Sequence, residues 1–413
     1  MKKFFKVKTV DEVLSIINSF DPLEAEEVPL TQARARVLAD AVAAQEDLPQ
    51  FDRSTMDGYA VRARDTFGAT EALPALFTII GEIFMGRQPD FKIGPGEAAR
   101  IWTGGMMPRG SDAVIMIEYA RLVDETTVEL ARAAAPYDNV IRAGEDVKKS
   151  ELLLPRGRRL RPQDVGLLAA LGFESVPVIR PPCVAIISTG DEIVPVKTQP
   201  GAGQVRDINT YSLGAQVEAS YARPLYLGLI KDDLDRIRRA VRQGLEEADT
   251  IILSGGSSVG VRDFTVEAFT SFSGSEILVH GVSVSPGKPT ILARIGNQSL
   301  WGLPGHAVSA MITFDLFLKP LLARLSGEEE NQQSLGQTVM ATLSRNVASV
   351  HGREDYVRAR LETDSEGRKI AYPVLGKSGL ISTMVKADGL IRIGMNVEGL
   401  DKGSEVEVRL FET

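Results

Sequence analysis

DTIILSGGSSVGVRDFTVEAF, residues 249–269, decides the fold. An apolar run enters a Gly-Gly turn and emerges into Val, Phe, Val and Phe spaced for one face of a helix. A short run of this kind, bounded by glycine and followed by a helix, reads as a strand buried on both faces of a parallel sheet. The unit recurs on both sides. Upstream, CVAIIST (183–189) is a buried strand, and NTYSLGAQVEASY (209–221) is a helix that Asn209 can cap. LYLGLI (225–230) is a second strand, and DDLDRIRRAVRQGLEEA (232–248) an amphipathic helix. Downstream, EILVHGVSV (276–284) and PTILARI (289–295) read as strands, and HAVSAMITFDLFLKPLLARL (306–325) as one long apolar helix. Strands alternating with helices at this spacing predict a doubly wound, parallel α/β domain over 181–327.

The flanks differ in texture. Residues 9–19 carry Val10, Val13, Leu14, Ile16 and Ile17 at helical spacing, and the alanine-rich segment 31–45 is expected to be helical too. From 51 to 146 short apolar runs among Gly and Pro predict a β-rich domain, and helix returns at 162–173, with Pro162 suited to a first turn and Gly172 to a stop. GEEENQQS (327–334) is a polar hinge, after which 335–413 reads as a small β domain. A chain of 413 residues exceeds one hydrophobic core, so several domains are expected. The net charge of −8 argues against nucleic acid as the main partner. An anionic small substrate would need a local basic cluster. Cys183 is the sole cysteine, which excludes an intramolecular disulfide and thiolate zinc sites. Lys6, Lys8, Asp11 and Glu12 interrupt any signal-peptide core, and no stretch approaches a membrane span, so the expected location is the cytoplasm, with no membrane partner.

In a doubly wound sheet, ligands bind outside the carboxyl ends of the strands. Gly190, Asp191 and Glu192 follow the strand 183–189, with Arg206 and Asp207 shortly after. Gly255, Gly256, Ser257 and, further on, Asp263 follow the strand 249–254. Glycines let backbone N–H groups form an anion-binding nest, and carboxylates beside it suit an oxygen-liganded Mg²⁺ bridging protein and phosphate. Asp191 or Asp263 alone reads equally as a helix N-cap; acidic loops at matching strand ends favour a site. In SPGKPT (285–290), Lys288 sits on a stiff turn as a fixed charge for an oxyanion, or as a solvated hairpin lysine. LPGHAVSA (303–310) leads into the long helix, whose first N–H groups and Ser309 can face an anion. No Walker A sequence occurs. GSSVG (256–260) matches the G-x-S-x-G pattern of serine hydrolases, with Ser258 as nucleophile and Asp263 and His280 left to complete a triad.

Taken in order, MDGYAV (56–61), RIWTGGMMPRGSDAVIMIE (100–118), RAGEDV (142–147), STGDEIV (188–194), SGGSSVGVRD (254–263), PGKPT (286–290) and LPGHAVSA (303–310) resemble the signature of the molybdopterin molybdenumtransferases, the family that includes the E domain of gephyrin. The resemblance implies an elongated first domain from 1–50 and 147–180, a β-rich insertion at 51–146, a molybdopterin-binding α/β domain at 181–327 and a β barrel at 328–413. It implies a homodimer that takes adenylylated molybdopterin and molybdate, inserts the metal and releases AMP in a Mg²⁺-dependent step. The adenylyltransferase that supplies the substrate is a further expected partner. Asp57, Thr103, Asp146, Glu192 and Asp263 match the family's catalytic positions, with Glu192 and Asp263 assigned to the metal. Lys288, Ser309, Arg353 and Ser378 match its oxyanion site. Gly190, Asp191, Asp207, Asp232, Gly255, Gly256 and Ser257 are assigned to nucleotide and pterin.

Two departures stand out. Ser285 occupies a position where the family usually has a second lysine, and His306-Ala307 replaces a common Asn-Pro. The first removes a cation and the second softens a turn, which leaves open whether molybdate or tungstate is preferred. Two rival readings are a serine hydrolase using Ser258 and a non-enzymatic, gephyrin-like scaffold.

Overall fold

The structure is a computed structural model describing residues 7–255, 259–329 and 337–411, with 259–263 described by backbone alone. The chain forms two compact units. One comprises Met1–Asp40, Arg156–Arg161 and Ser175–Thr413; the other, Ala41–Pro155 and Pro162–Glu174.

The first unit is built on the sheet expected from 183 onward. Four strands run parallel in the order Arg223–Ile230, Cys183–Thr189, Thr250–Gly255 and Gln298–Leu303. Ile291–Ile295 and Glu276–His280 extend the edge antiparallel to their neighbours, so the sheet is mixed and not wholly parallel. The reason is local: only Gly296 and Asn297 separate Ile295 from Gln298, and a parallel crossover needs a helix-length connection. Helices Asn209–Ala219, Leu234–Glu247 and Val259–Thr270 follow their strands as expected. One core gathers Ile186, Ile252, Trp301, Phe314, Phe317 and Leu321 with Val10, Val13 and Ile17 of the first helix. That helix, Val10–Ile17, begins at a Thr9 capping box: Glu12 N–H donates to Thr9 Oγ1, and Thr9 N–H to Glu12 Oε2.

The 306–325 helix is not uniform. Between the α-helical turns Ala307–Thr313 and Lys319–Leu325, Phe314–Leu318 widens to π geometry. Pro320 lacks an N–H and would clash with the preceding turn of a regular helix, and the wider turn relieves this. Toward the C-terminus, Thr338–Leu343, Glu354–Thr363, Lys369–Pro373, Gly389–Ile393 and Glu405–Leu410 close into a five-stranded barrel, with Val284–Ser285 paired onto Glu354–Thr363 from outside.

The helix expected at 31–45 does not form. Leu30–Gln32 makes a single 3-10 turn, Ala35 takes a left-handed φ of 65°, and Val37–Leu38 pairs with Val178 and Ile179. Alanine's helix preference is worth only tenths of a kcal/mol per residue, whereas burying Val37 and Leu38 in a sheet contributes about 1.5–3 kcal/mol each.

The second unit holds a six-stranded sheet ordered Ala113–Met116, Gly58–Val61, Glu97–Ile101, Ala75–Ile83, Thr127–Leu130 and Ala120–Leu122, the β-rich region expected between 51 and 146. Helix Pro162–Ala170 belongs to this unit and is followed by Gly172 at φ 82°.

Candidate functional site

At the carboxyl ends of the parallel strands, polar side chains replace apolar ones. Ser188 Oγ donates to Asp207 Oδ1 at 3.1 Å and lies 2.8 Å from Thr210 Oγ1. Asp207 Oδ1 also accepts the Thr210 N–H at 3.1 Å. This corrects the expected cap: Asp207, not Asn209, satisfies the first turn of helix Asn209–Ala219. Asn209 points inward instead, its Nδ2 donating to Ser254 Oγ at 2.7 Å and to the Gly305 carbonyl at 2.9 Å. One side chain thereby ties the helix start to the end of strand Thr250–Gly255 and to the loop after Gln298–Leu303, a role that sequence reading missed because both partners are distant in the chain. Thr189 Oγ1 donates to Asp232 Oδ1 at 2.6 Å. Gly255 is obligatory: a Cβ there would lie 2.1 Å from Thr189 Cγ2. Gly190 is buried at the same edge, while Asp191 and Glu192 are exposed. The Glu192 carbonyl accepts the Val205 N–H at 2.9 Å, which ties the 190–194 loop to the 205–207 segment. Gly256, Ser257 and Ser258 lie outside the described residues, as does the side chain of Asp263, whose backbone is in helix Val259–Thr270.

Mg²⁺ asks for oxygen ligands and tolerates retained water. Glu192 fits as an exposed carboxylate, and Asp232 keeps one oxygen free of hydrogen bonds among the described residues. Among the described residues no three His, Cys, Asp or Glu side chains form a metal cage, so such an ion would rest on few protein ligands and on substrate oxygens.

A second cluster in the same unit assembles the basic and hydroxyl residues. Val284–Ser285 pairs in parallel with Glu354–Asp355, and the Glu354 N–H donates to the Ser283 carbonyl at 2.9 Å, so the segment that leads into the Pro286–Lys288 turn lies along the strand that follows Arg353. Gly287 holds φ 122°, and a Cβ on it would lie 2.7 Å from Thr313 Oγ1, so the turn packs on the helix that carries Ser309. Thr290 Oγ1 donates to the Gly287 carbonyl at 2.7 Å, and Val282 N–H to the Lys288 carbonyl at 3.0 Å. The turn is fixed while the Lys288 side chain is exposed. Ser309 is buried in the first turns of Ala307–Thr313. Ser378 reaches that helix start twice: its Oγ lies 2.7 Å from His306 Nδ1, and its carbonyl accepts the Val308 N–H at 3.2 Å. Lys288, Ser309 and Ser378 thus neighbour one helix. Arg353 is at the same strand pairing but is ion-paired to Asp355 at 3.1 Å, which offsets part of its charge.

In the second unit, Asp57 Oδ1 accepts both the N–H and the Oγ1 of Thr103, each at 2.7 Å. These two bonds, the backbone one first, and then the charge of Arg100 hold the Asp57 carboxyl below the usual carboxylate range. Gly104, at φ 83°, donates its N–H to the Ser54 carbonyl, folding the Thr103–Gly105 turn over the strand that leads to Asp57. Asp146 is exposed, its N–H bonded to the Leu48 carbonyl at 3.0 Å.

The hydrolase triad lacks support from the sheet. His280 ends the strand three places from Thr250–Gly255, a lateral distance of about 14 Å.

Three family models match in order: the MoeA N-terminal region (domain I and II) over residues 8–172, a probable molybdopterin binding domain over 185–324, and the MoeA C-terminal region (domain IV) over 340–411. The chain is 35% identical to the molybdopterin molybdenumtransferase of Bacillus subtilis, with 97% of this chain and 94% of the relative aligned. It is 32% identical to that of Haemophilus influenzae, over 94% and 95%. The crystal structure of a molybdopterin biosynthesis MoeA protein from Pyrococcus horikoshii superposes with a TM-score of 0.84 at 36% identity, covering 99% of this chain and all of that one. The seven motifs, the multidomain α/β architecture with its closed barrel, and full-length similarity agree, and the chain belongs to the MoeA family of molybdopterin molybdenumtransferases.

Proposed function

We propose that this chain is an enzyme of molybdenum cofactor biosynthesis that inserts molybdenum from molybdate into adenylylated molybdopterin and releases AMP. The observation that carries the reading is the pairing, within one unit, of a carboxylate- and hydroxyl-lined strand edge with a helix that has hydroxyls at its start and the Lys288 turn packed one turn further along, at Thr313. The first suits a pterin nucleotide with its phosphoanhydride, and the second a tetrahedral oxyanion. The dithiolene sulfurs that receive the metal belong to the substrate, so one buried cysteine is no obstacle.

Each group has a part. The Ser188, Asp207 and Thr210 triangle and the Asn209 bridge hold the strand-end loops rigid, so that Glu192 is presented to solvent at a fixed place. Mg²⁺, when bound, would neutralise anhydride oxygens, and Glu192 and Asp263 are the residues that would hold it. Lys288 offers three N–H donors to an oxyanion, and Ser309 and Ser378 add hydroxyls at a helix N-terminus whose dipole favours negative charge. Asp57 stays ionised and, among the described residues, keeps its second oxygen free for a ligand. The working form is a homodimer, located in the cytoplasm and supplied by an adenylyltransferase; no described helix is long and apolar enough to cross a membrane.

The test is direct. Purified protein is incubated with adenylylated molybdopterin, Mg²⁺ and either molybdate or tungstate, and AMP is assayed. AMP release that depends on both Mg²⁺ and the oxyanion is expected; no release under any combination would overturn the reading.

A further inference from the structure

Strand Glu354–Thr363 separates two environments. Ala359 and Val357 belong with Leu343, Ile391 and Val408 inside the barrel, whereas Tyr356 belongs with Met384 and Leu390 in the large core of the α/β sheet. A two-residue period puts Arg358 on the face of Tyr356. Only 7% of Arg358 is exposed. Its Nη2 donates to the Gly376 carbonyl at 2.8 Å, and its Nε is buried with no partner. The carboxylates of the same strand are engaged elsewhere, Glu354 by Arg392 and Tyr356, Asp355 by Arg353 and Ser349, and Glu362 by Arg360. Among the described residues no ion pair offsets the Arg358 charge, and burial pushes its pKa down. A buried cation without a counter-ion is costly to keep.

The carbonyl that Arg358 holds is close to the oxyanion cluster. Gly376 precedes Ser378 by two residues, which span at most about 7 Å. Ser378 in turn touches His306 and the Val308 N–H, next to Ser309.

We propose that Arg358 is a further cation of the oxyanion site, fixing the Gly376–Ser378 turn through its carbonyl and supplying a positive charge for a bound tetrahedral oxyanion. The inference rests on the oxyanion reading of Lys288, Ser309 and Ser378. It also gives the site a second full charge where Ser285 provides none and Asp355 offsets Arg353.

The full-length protein is titrated with molybdate by calorimetry as wild type, Arg358→Met, Arg358→Lys and Lys288→Ala, and each is unfolded in urea. Arg358→Met should weaken molybdate binding about tenfold or more while leaving the urea midpoint unchanged or higher, because an apolar chain of similar length replaces an unpaired buried charge. Arg358→Lys, which keeps the charge, should lose less than about threefold. A merely structural arginine predicts the reverse, a lower midpoint with affinity intact in either variant. Lys288→Ala weakened with Arg358→Met unchanged would overturn the role of Arg358 alone. No weakening in either would overturn the oxyanion reading itself. Should Arg358→Met not fold, Arg358→Lys decides between a kept midpoint with slightly weaker binding, which supports the proposal, and a fallen midpoint with intact binding, which overturns it.

Discussion

Asp57 and Asp207 make nearly the same local bonds in different surroundings. Each accepts a backbone N–H and a hydroxyl on one oxygen, Asp57 from Thr103 and Asp207 from Thr210 and Ser188. Asp57 stands in solvent on a turn of the second unit, while Asp207 is 7% exposed beneath the strand ends of the first. The two carboxylates share a bonding pattern and differ in exposure. A buried acceptor whose partners are also buried holds loops together. An exposed one with an idle oxygen is available to a ligand.

Asp207→Ala tests the buried half of the contrast and should have the largest effect on stability. It removes the acceptor shared by the Ser188 hydroxyl and the Thr210 N–H, leaving Ser188 with Thr210 Oγ1 alone and the N–H without its partner, at a cost of about 1–3 kcal/mol. Urea unfolding followed by circular dichroism should show the loss as a lower midpoint at constant slope. Asp57→Ala should leave the midpoint where it is. Equal midpoints for the two variants would break the distinction between strut and ligand-facing group.

Glu192 extends the exposed half, and its effect should fall on turnover. Glu192→Gln should reduce AMP release at saturating Mg²⁺ at least tenfold, about 1.4 kcal/mol of transition-state stabilisation, with an unchanged urea midpoint. Wild-type turnover would remove Glu192 from the metal site. A gain is expected at Ser285, half-buried on the turn that ends in Lys288. Ser285→Lys adds a cation within a few ångströms of the oxyanion, worth on the order of 1 kcal/mol when partly screened. Molybdate affinity by calorimetry should rise accordingly, and an unchanged value would place the anion away from this turn.

The same contrast explains how much was readable in the sequence. The buried strands Cys183–Thr189 and Thr250–Gly255 announced themselves as uninterrupted apolar runs, and the motif order revealed the family. The rule that favours Asn before a helix is local and makes Asn209 a cap, whereas its partners Ser254 and Gly305 lie 45 and 96 residues away. Segment 31–45 departs from its helical expectation for a related reason: its strand partners at 152–154 and 178–179 are more than a hundred residues downstream. Arg358 gave no signal at all. An arginine in an alternating strand reads as solvent-facing, and only the fold, which brings the Gly376 carbonyl onto it, shows that it is buried. Distant partners decide burial, and burial decides which polar residues support the site and which are free to serve it.

The smallest expected effect is also the sharpest test of the exposed carboxylate. Asp57 is held below the ordinary aspartate pKa of about 3.9 chiefly by the Thr103 N–H, then by the Thr103 hydroxyl. A carboxyl depressed in the folded state contributes stability above its unfolded pKa and loses it as pH falls through the folded value. The window is therefore acidic and lies below about pH 4. Near neutral pH the contribution is fully present and constant, so stability there should not vary with pH on its account. Thr103→Ala removes the hydroxyl donor but keeps the backbone N–H, so the Asp57 midpoint should rise only part of the way toward the ordinary value. Selective carbon labelling of aspartate and an NMR pH titration would follow that carboxyl. A midpoint at the ordinary value in the wild type would mean that solvent outcompetes both Thr103 bonds, and that Asp57 is not preset for a ligand. A midpoint unmoved by Thr103→Ala would assign the whole depression to the N–H, leaving the Thr103 hydroxyl free to meet the ligand itself.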